Sequence, residues 1–189
     1  MSARAESELL TTIVAAARER LSAAACSVAL LDGDELEFRA ADGAGAQQVL
    51  GMRLPVGRGL AGYVVVSGQS IAVADVHRDQ RFDAEIAVST GYVPTSILAV
   101  AVEDDDGPIG VLEVLDRQPG GQDMEIAAAA ARQVSLAVQL ARSGAEVDTV
   151  LADDRLQELV VLVRRFSDAN ERDRSLAAAL LGAVLERGS

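Results

Sequence analysis

Tryptophan and lysine are absent from this chain, cysteine and histidine occur once each, and aromatic residues make up only 3% of its 189 positions. Each shortage removes a class of function. A single thiol, Cys26, cannot close an internal disulfide, in keeping with a reducing compartment. The one imidazole, His77, lies in a polar stretch beside Asp75 and Asp79. It has neither the cluster of ligands that marks a metal site nor the apolar envelope that a haem needs. Nucleophilic catalysis requires a serine or cysteine beside a base, and no such pairing surrounds His77. No apolar run reaches the roughly 18–20 residues of a membrane span. Glu6 and Glu8 stand where a secretion signal has its basic region, so a cytoplasmic location is expected.

What is present is acidic and aliphatic. The formal net charge is −12, with every basic residue except His77 an arginine. Such a surface repels phosphate backbones and anionic headgroups, so neither nucleic acid nor membrane is expected as a partner. Hydrophobic residues are 50% of the chain, and with few aromatics among them alanine, valine and leucine must fill the core. The length suits one domain plus additional helices.

The hydrophobic period changes along the chain. Leu9, Leu10, Ile13, Val14, Ala17 and Leu21 recur at helical spacing and predict a helix over 3–24. The apolar run from Cys26 to Leu31, the turn Asp32-Gly33-Asp34 and the alternation of Leu36, Phe38 and Ala40 with charged residues predict a hairpin. Residues 42–51 read as a loop with a helical turn, and 52–56 as a short strand. A short helix over 59–67, stopped by Gly68, precedes a strand at 70–75 and a loop with one helix over 76–93. A second hairpin is predicted at 95–103 and 108–116 around Asp104-Asp105-Asp106-Gly107. Asp123 is the expected N-cap of a helix ending near Ser143, with Gly144 as a boundary. Two amphipathic helices, about 146–166 and 170–187, should form a C-terminal extension, with Leu156, Leu159, Val160 and Val163 as a stripe for a partner protein. The expected division is therefore 1–143 and 144–189.

The glycine-punctuated segment Gly57-Arg58-Gly59-Leu60-Ala61-Gly62 does not read as a dinucleotide fingerprint. It lacks the acidic ribose-binding position after a second parallel strand, and its glycines read as a tight turn with close helix packing. Taken with Ile71 to Asp75, the loop Val76 to Asp83, and the hairpin Ser96 to Val114, however, the ordered set resembles the GAF domain. This resemblance covers roughly residues 5–142.

It implies an α+β fold with a central antiparallel sheet of five or six strands flanked by helices. It also implies a small-molecule sensor whose pocket lies between one sheet face and the segment after strand 70–75. Carried over by position, the candidate pocket residues are Leu60, Asp75, Phe82, Ile86, Val88, Tyr92 and Ser96. The Asn-Lys, Phe and Asp-Glu signature of cyclic-nucleotide-binding members is not matched: Asp116-Arg117 stands where Asn-Lys would be. The cysteines of the methionine sulfoxide reductases of this type are missing too, and no enzymatic activity is expected. No particular ligand or cofactor is implied. A homodimer is expected through the terminal helices, where Ala127 to Ala131, Ala137 and Ala141 form a narrow face. The alternative is a degenerate scaffold with a filled pocket that works as a protein-interaction module.

Overall fold

A computed structural model describes residues 3–117 and 121–151. Six strands form one sheet in the order β3-β2-β1-β6-β5-β4, and every neighbouring pair is antiparallel. The strands are β1 (Ala25–Asp32), β2 (Glu35–Gly43), β3 (Arg53–Pro55), β4 (Ile71–Val73), β5 (Ile97–Asp104) and β6 (Gly107–Leu115). The β1–β2 hairpin turns at Gly33-Asp34, where Gly33 adopts φ 66°, a left-handed conformation open to glycine at little cost. The β5–β6 hairpin turns at Asp105-Asp106 and carries a bulge between Val102 and Glu103.

One face is covered by α1 (Ala3–Leu21) and the first part of α5 (Gly121–Leu151). Leu10, Val14 and Leu21 from α1 and Ala127, Ala131 and Val134 from α5 meet Val28, Leu98, Leu112 and Val114 of the sheet. The bulge in β5 turns a backbone carbonyl toward α5: Ser135 Oγ donates to the Glu103 carbonyl at 2.6 Å, and Arg142 pairs with Asp104 at 3.3 Å. The other face carries α3 (Gly59–Ser67) and α4 (Ala84–Ser89), with a short 3₁₀ turn at Val76–Arg78 between them. A further turn of helix, α2 (Ala46–Val49), bridges β2 and β3.

Why α3 lies where it does follows from two glycines. A Cβ on Gly62 would come within 2.6 Å of the Gly57 backbone, so only glycine lets the helix fold back onto its own entry loop. Gly68 ends the helix at φ 66° and its N–H closes onto the Val64 carbonyl, the usual left-handed cap.

Two expectations need correction. Asp123 is not the N-cap: α5 begins at Gly121, and Asp123 is in its first turn, paired with Arg117 at 3.1 Å. Nor does the helix stop near Ser143; it continues through Gly144 to Leu151. One glycine costs a helix about 1 kcal/mol relative to alanine, too little to end it without a competing cap. The division by internal contacts falls between Arg142 and Ser143. The helix expected over 170–187, most of that over 146–166, and the stripe from Leu156 to Val163 lie outside the described residues.

Candidate functional site

Between α3, α4 and the sheet lies a pocket of about 90 Å³. Its floor is strand β6 with Glu113 and Leu115, its walls are Phe38, Leu54, Leu60 and Ile97, and its roof is Phe82, Ile86, Ala87 and Tyr92. Apolar walls with few polar groups are the usual build of a small-molecule site, although the volume is below the roughly 300–1,000 Å³ typical for drug-sized ligands.

The roof is held by caps. Asp83 is the N-cap of α4, accepting from the backbone N–H groups of Glu85 and Ile86, both at 3.1 Å. It also accepts from Arg58 Nε at 2.7 Å, so one carboxylate fastens α4 to the entry of α3 at the pocket rim. Burial alone would raise the Asp83 carboxyl, but the Ile86 N–H and the Arg58 guanidinium outweigh it and hold the group below the ordinary carboxylate range. At the far end Asp116, left-handed at φ 55°, gathers the segment between α4 and β5. Its carboxylate accepts from the Tyr92 hydroxyl and from the N–H groups of Thr95 (2.6 Å) and Ser96 (3.0 Å). Burial, and then the bond to Asp116, pushes the Tyr92 phenol up to about 12.

Glu113 is the exception among these satisfied groups. It lies midway along β6, opposite Ser27 of β1 and Ala99 of β5, on central strands of the sheet. Its carboxylate has no hydrogen-bond or ion-pair partner among the described residues, and it lines the pocket. Burial pushes it up to about 7.

Of the candidate residues, Leu60, Phe82, Ile86 and Tyr92 are brought together around the pocket, while Asp75, Val88 and Ser96 are not. Asp75 caps the 3₁₀ turn, accepting from the His77 N–H at 3.1 Å and pairing with Arg78 at 3.2 Å. Val88 is 66% exposed on the outer side of α4, because its neighbours Ile86 and Ala87 take the inward positions of so short a helix. Ser96 is buried but donates to the Arg117 carbonyl at 3.0 Å, away from the pocket. Sequence reasoning missed Arg58, Asp83 and Glu113. The first two had a readable signal, since Asp83 precedes a short helical segment as a capping residue does. Glu113 had none: a glutamate between apolar residues in a strand reads as facing solvent.

No group of three or more metal-ligating side chains occurs among the described residues. Nor is any of their helices long and apolar enough to cross a membrane. His77 is exposed and makes an edge contact with Phe82, ring centroids 6.0 Å apart.

An antiparallel sheet in this order, with a helix pair on one face and a pocket under short helices on the other, defines an α+β domain. A family model described as the GAF domain matches residues 6–138, and the chain belongs to that family of small-molecule sensing and regulatory modules. Among curated proteins it is 33% identical over 72 residues to the dual 3′,5′-cyclic-AMP and -GMP phosphodiesterase 11A of Takifugu rubripes. That match covers 38% of this chain and 8% of the phosphodiesterase, so the likeness is to a small part of a much longer protein. The GAF domain of a phosphoenolpyruvate-protein phosphotransferase from Coxiella burnetii superposes with a TM-score of 0.67 at 21% identity, covering 75% of this chain and 86% of that one. The GAF-B domain of DevS from Mycobacterium smegmatis gives 0.61 at 19% identity, covering 75% and 98%. At such identities the structures establish the fold alone.

Proposed function

We propose that the protein is a non-catalytic, cytoplasmic sensor that binds a small molecule in the pocket between α3, α4 and the sheet. Its signal passes through helix contacts in a homodimer. The observation that carries this reading is the pocket itself: apolar walls, a roof tied down by Asp83 and Asp116, and one carboxyl with no protein partner. A ligand that binds the closed roof better than an open one would shift α4 and the adjoining loop, which is all that sensing requires.

Much of the narrow alanine face is already used within the protomer. Ala127, Ala131 and Ala137 are each at most 2% exposed, packed in the protomer's own core. Among the described side chains of α5, the large apolar ones left outside are Leu136 and Leu140, one helical turn apart and about 60% exposed, and these are the proposed contact with a second copy.

Comparison of native with denaturing mass spectra of freshly purified protein tests the pocket. A native mass above whole multiples of the chain mass, lost in Leu60→Trp, supports a retained ligand. No excess mass, together with no thermal shift against a metabolite library, favours a scaffold that captures partner proteins instead.

A further inference from the structure

We infer that this pocket selects a compact organic cation, an ammonium group on a small aliphatic body, with Glu113 as its counter-ion. The inference rests on the ligand-binding reading of the same pocket and names the chemistry that would fill it.

The other polar side chains around the pocket already have partners within the protein. The Arg58 guanidinium is held by Asp83 at 2.7 Å and Glu85 at 3.6 Å. The single Thr90 hydroxyl proton is shared between the carbonyls of Ala87 (2.8 Å) and Tyr92 (3.2 Å), and the Tyr92 hydroxyl donates to Asp116. An anionic ligand would therefore enter a space whose one guanidinium is already shared between two carboxylates, and would meet the unpaired carboxylate of Glu113. A wholly apolar ligand would seal that carboxylate away from water with nothing to bond, which is costly for any buried polar group. An ammonium group supplies both the donors and the opposite charge, and charge-assisted bonds of this kind are the stronger ones. The aliphatic and aromatic walls, with Phe38 and Phe82 among them, suit the rest of such a molecule and add the attraction of ring faces for a cation. The pocket's small volume excludes a bulky amine.

The proposal predicts a pH dependence, because the ammonium pairs with the ionised carboxylate. Ser27 on β1 and Ala99 on β5 pair beside Glu113, and Arg58 at the start of α3, Asp83 at the start of α4 and Tyr92 on the roof line the same pocket; Cys26, at the adjoining position of β1, feels the Glu113 charge. Asp83 is held low, and burial pushes the Cys26 thiol, like the Tyr92 phenol, up to about 12. Glu113 is thus the group of this set that changes charge near neutrality. Its ionised fraction falls from about nine-tenths at pH 8 to about one-tenth at pH 6, so an ammonium ligand should bind about ten-fold more tightly at pH 8. At pH 6 binding should release close to one proton.

The test uses the full chain and three probes of matched shape: isobutylammonium, isobutanol and isobutyrate. Methyl NMR of Leu60 and Ile97 reports occupancy of the pocket, and calorimetry at pH 6 and 8 in buffers of different ionisation enthalpy reports affinity and proton release. The expected result is saturable binding of isobutylammonium alone, about ten-fold tighter at pH 8 and lost in Glu113→Gln. The pH profile of the unaltered protein decides the matter even if that variant folds poorly. Equal or tighter binding of isobutanol or isobutyrate at the same methyls overturns the cation while leaving the pocket a ligand site. No response to any probe at tens of millimolar also overturns it, and the mass-spectrometric comparison then judges the ligand-binding reading separately.

Discussion

Toward α1 and α5 the sheet presents Val28, Leu98, Leu112 and Val114, each at most 1% exposed, and the cluster they join is made of aliphatic and sulfur-bearing side chains. Toward α3 and α4 the same strands present Ala29, Ile97, Ala99 and the carboxyl of Glu113. The four aromatic residues among the described residues, Phe38, Tyr63, Phe82 and Tyr92, all belong to this second side. Alternation along a strand makes such a division easy, because neighbouring residues point to opposite faces and can be chosen independently. On the helical side the sheet residues are sealed from solvent; on the other the sheet is incompletely covered and polar at its floor. A protein that must stay folded while something enters it benefits from keeping those tasks on opposite sides of one sheet.

The largest effect should come from breaking the dense side. Leu112→Ala removes a fully buried side chain from this cluster, and should cost about 2–5 kcal/mol. Urea denaturation measures it. If the loss is under 1 kcal/mol, the α1/α5 face is looser than its burial implies and the contrast between the two sides weakens.

Glu113→Gln should have the opposite sign. The folded-state value of this carboxyl is raised from 4.5 to about 7, so the folded protein holds the proton over a range where the unfolded chain has released it. Stability therefore falls as pH rises from about 4.5 to about 7 and levels off above that, a total of about 3 kcal/mol. Glutamine cannot ionise, so at pH 8 the variant should be the more stable protein by up to that amount, with no difference at pH 4. Unfolding curves across this range that run parallel for the two proteins would show that Glu113 is solvated or paired after all.

Gly62→Ala tests how tightly α3 is held over the pocket. The added methyl meets the Gly57 backbone, which cannot rotate away as a side chain could, and the expected cost is about 1–3 kcal/mol. If the sensing role is right, the displaced helix should also weaken occupancy of the pocket, visible as loss of the retained mass.

The two sides were not equally legible from sequence. The hairpins at Asp32-Gly33-Asp34 and Asp104 to Gly107, the helix stopped by Gly68 and the periodic α1 are local signals, and the chain follows them. The pocket depends on which elements come to cover the sheet, and periodicity does not carry that information. Ile109 to Leu115 reads as a strand with Glu113 turned outward; it is α3 and α4, far away in sequence, that convert this outer position into a pocket floor. Asp75 shows a related effect: a carboxylate next to a turn can serve the turn's own N–H groups, as it does for His77, instead of reaching the pocket. Gly144 shows the converse error, a local breaker read as a boundary within a helix that runs on to Leu151.

The smallest effect on folding should come from Leu136→Glu, and it bears on a third surface, the outside of α5. Leu136 is 59% exposed, so the substitution removes little buried area and should change monomer stability by no more than about 0.5 kcal/mol. It nevertheless places a charge at the centre of the proposed contact with a second copy, one turn from Leu140, where an unpaired carboxylate would have to be stripped of water. Light scattering at micromolar concentration should therefore report two chains for the unaltered protein and one for the variant, with superimposable thermal melts once both are diluted to the monomer. A single-chain mass before any substitution removes the dimer from the proposal. Two chains in both proteins move the contact elsewhere, because no side chain near Leu136 would then be needed to hold the copies together.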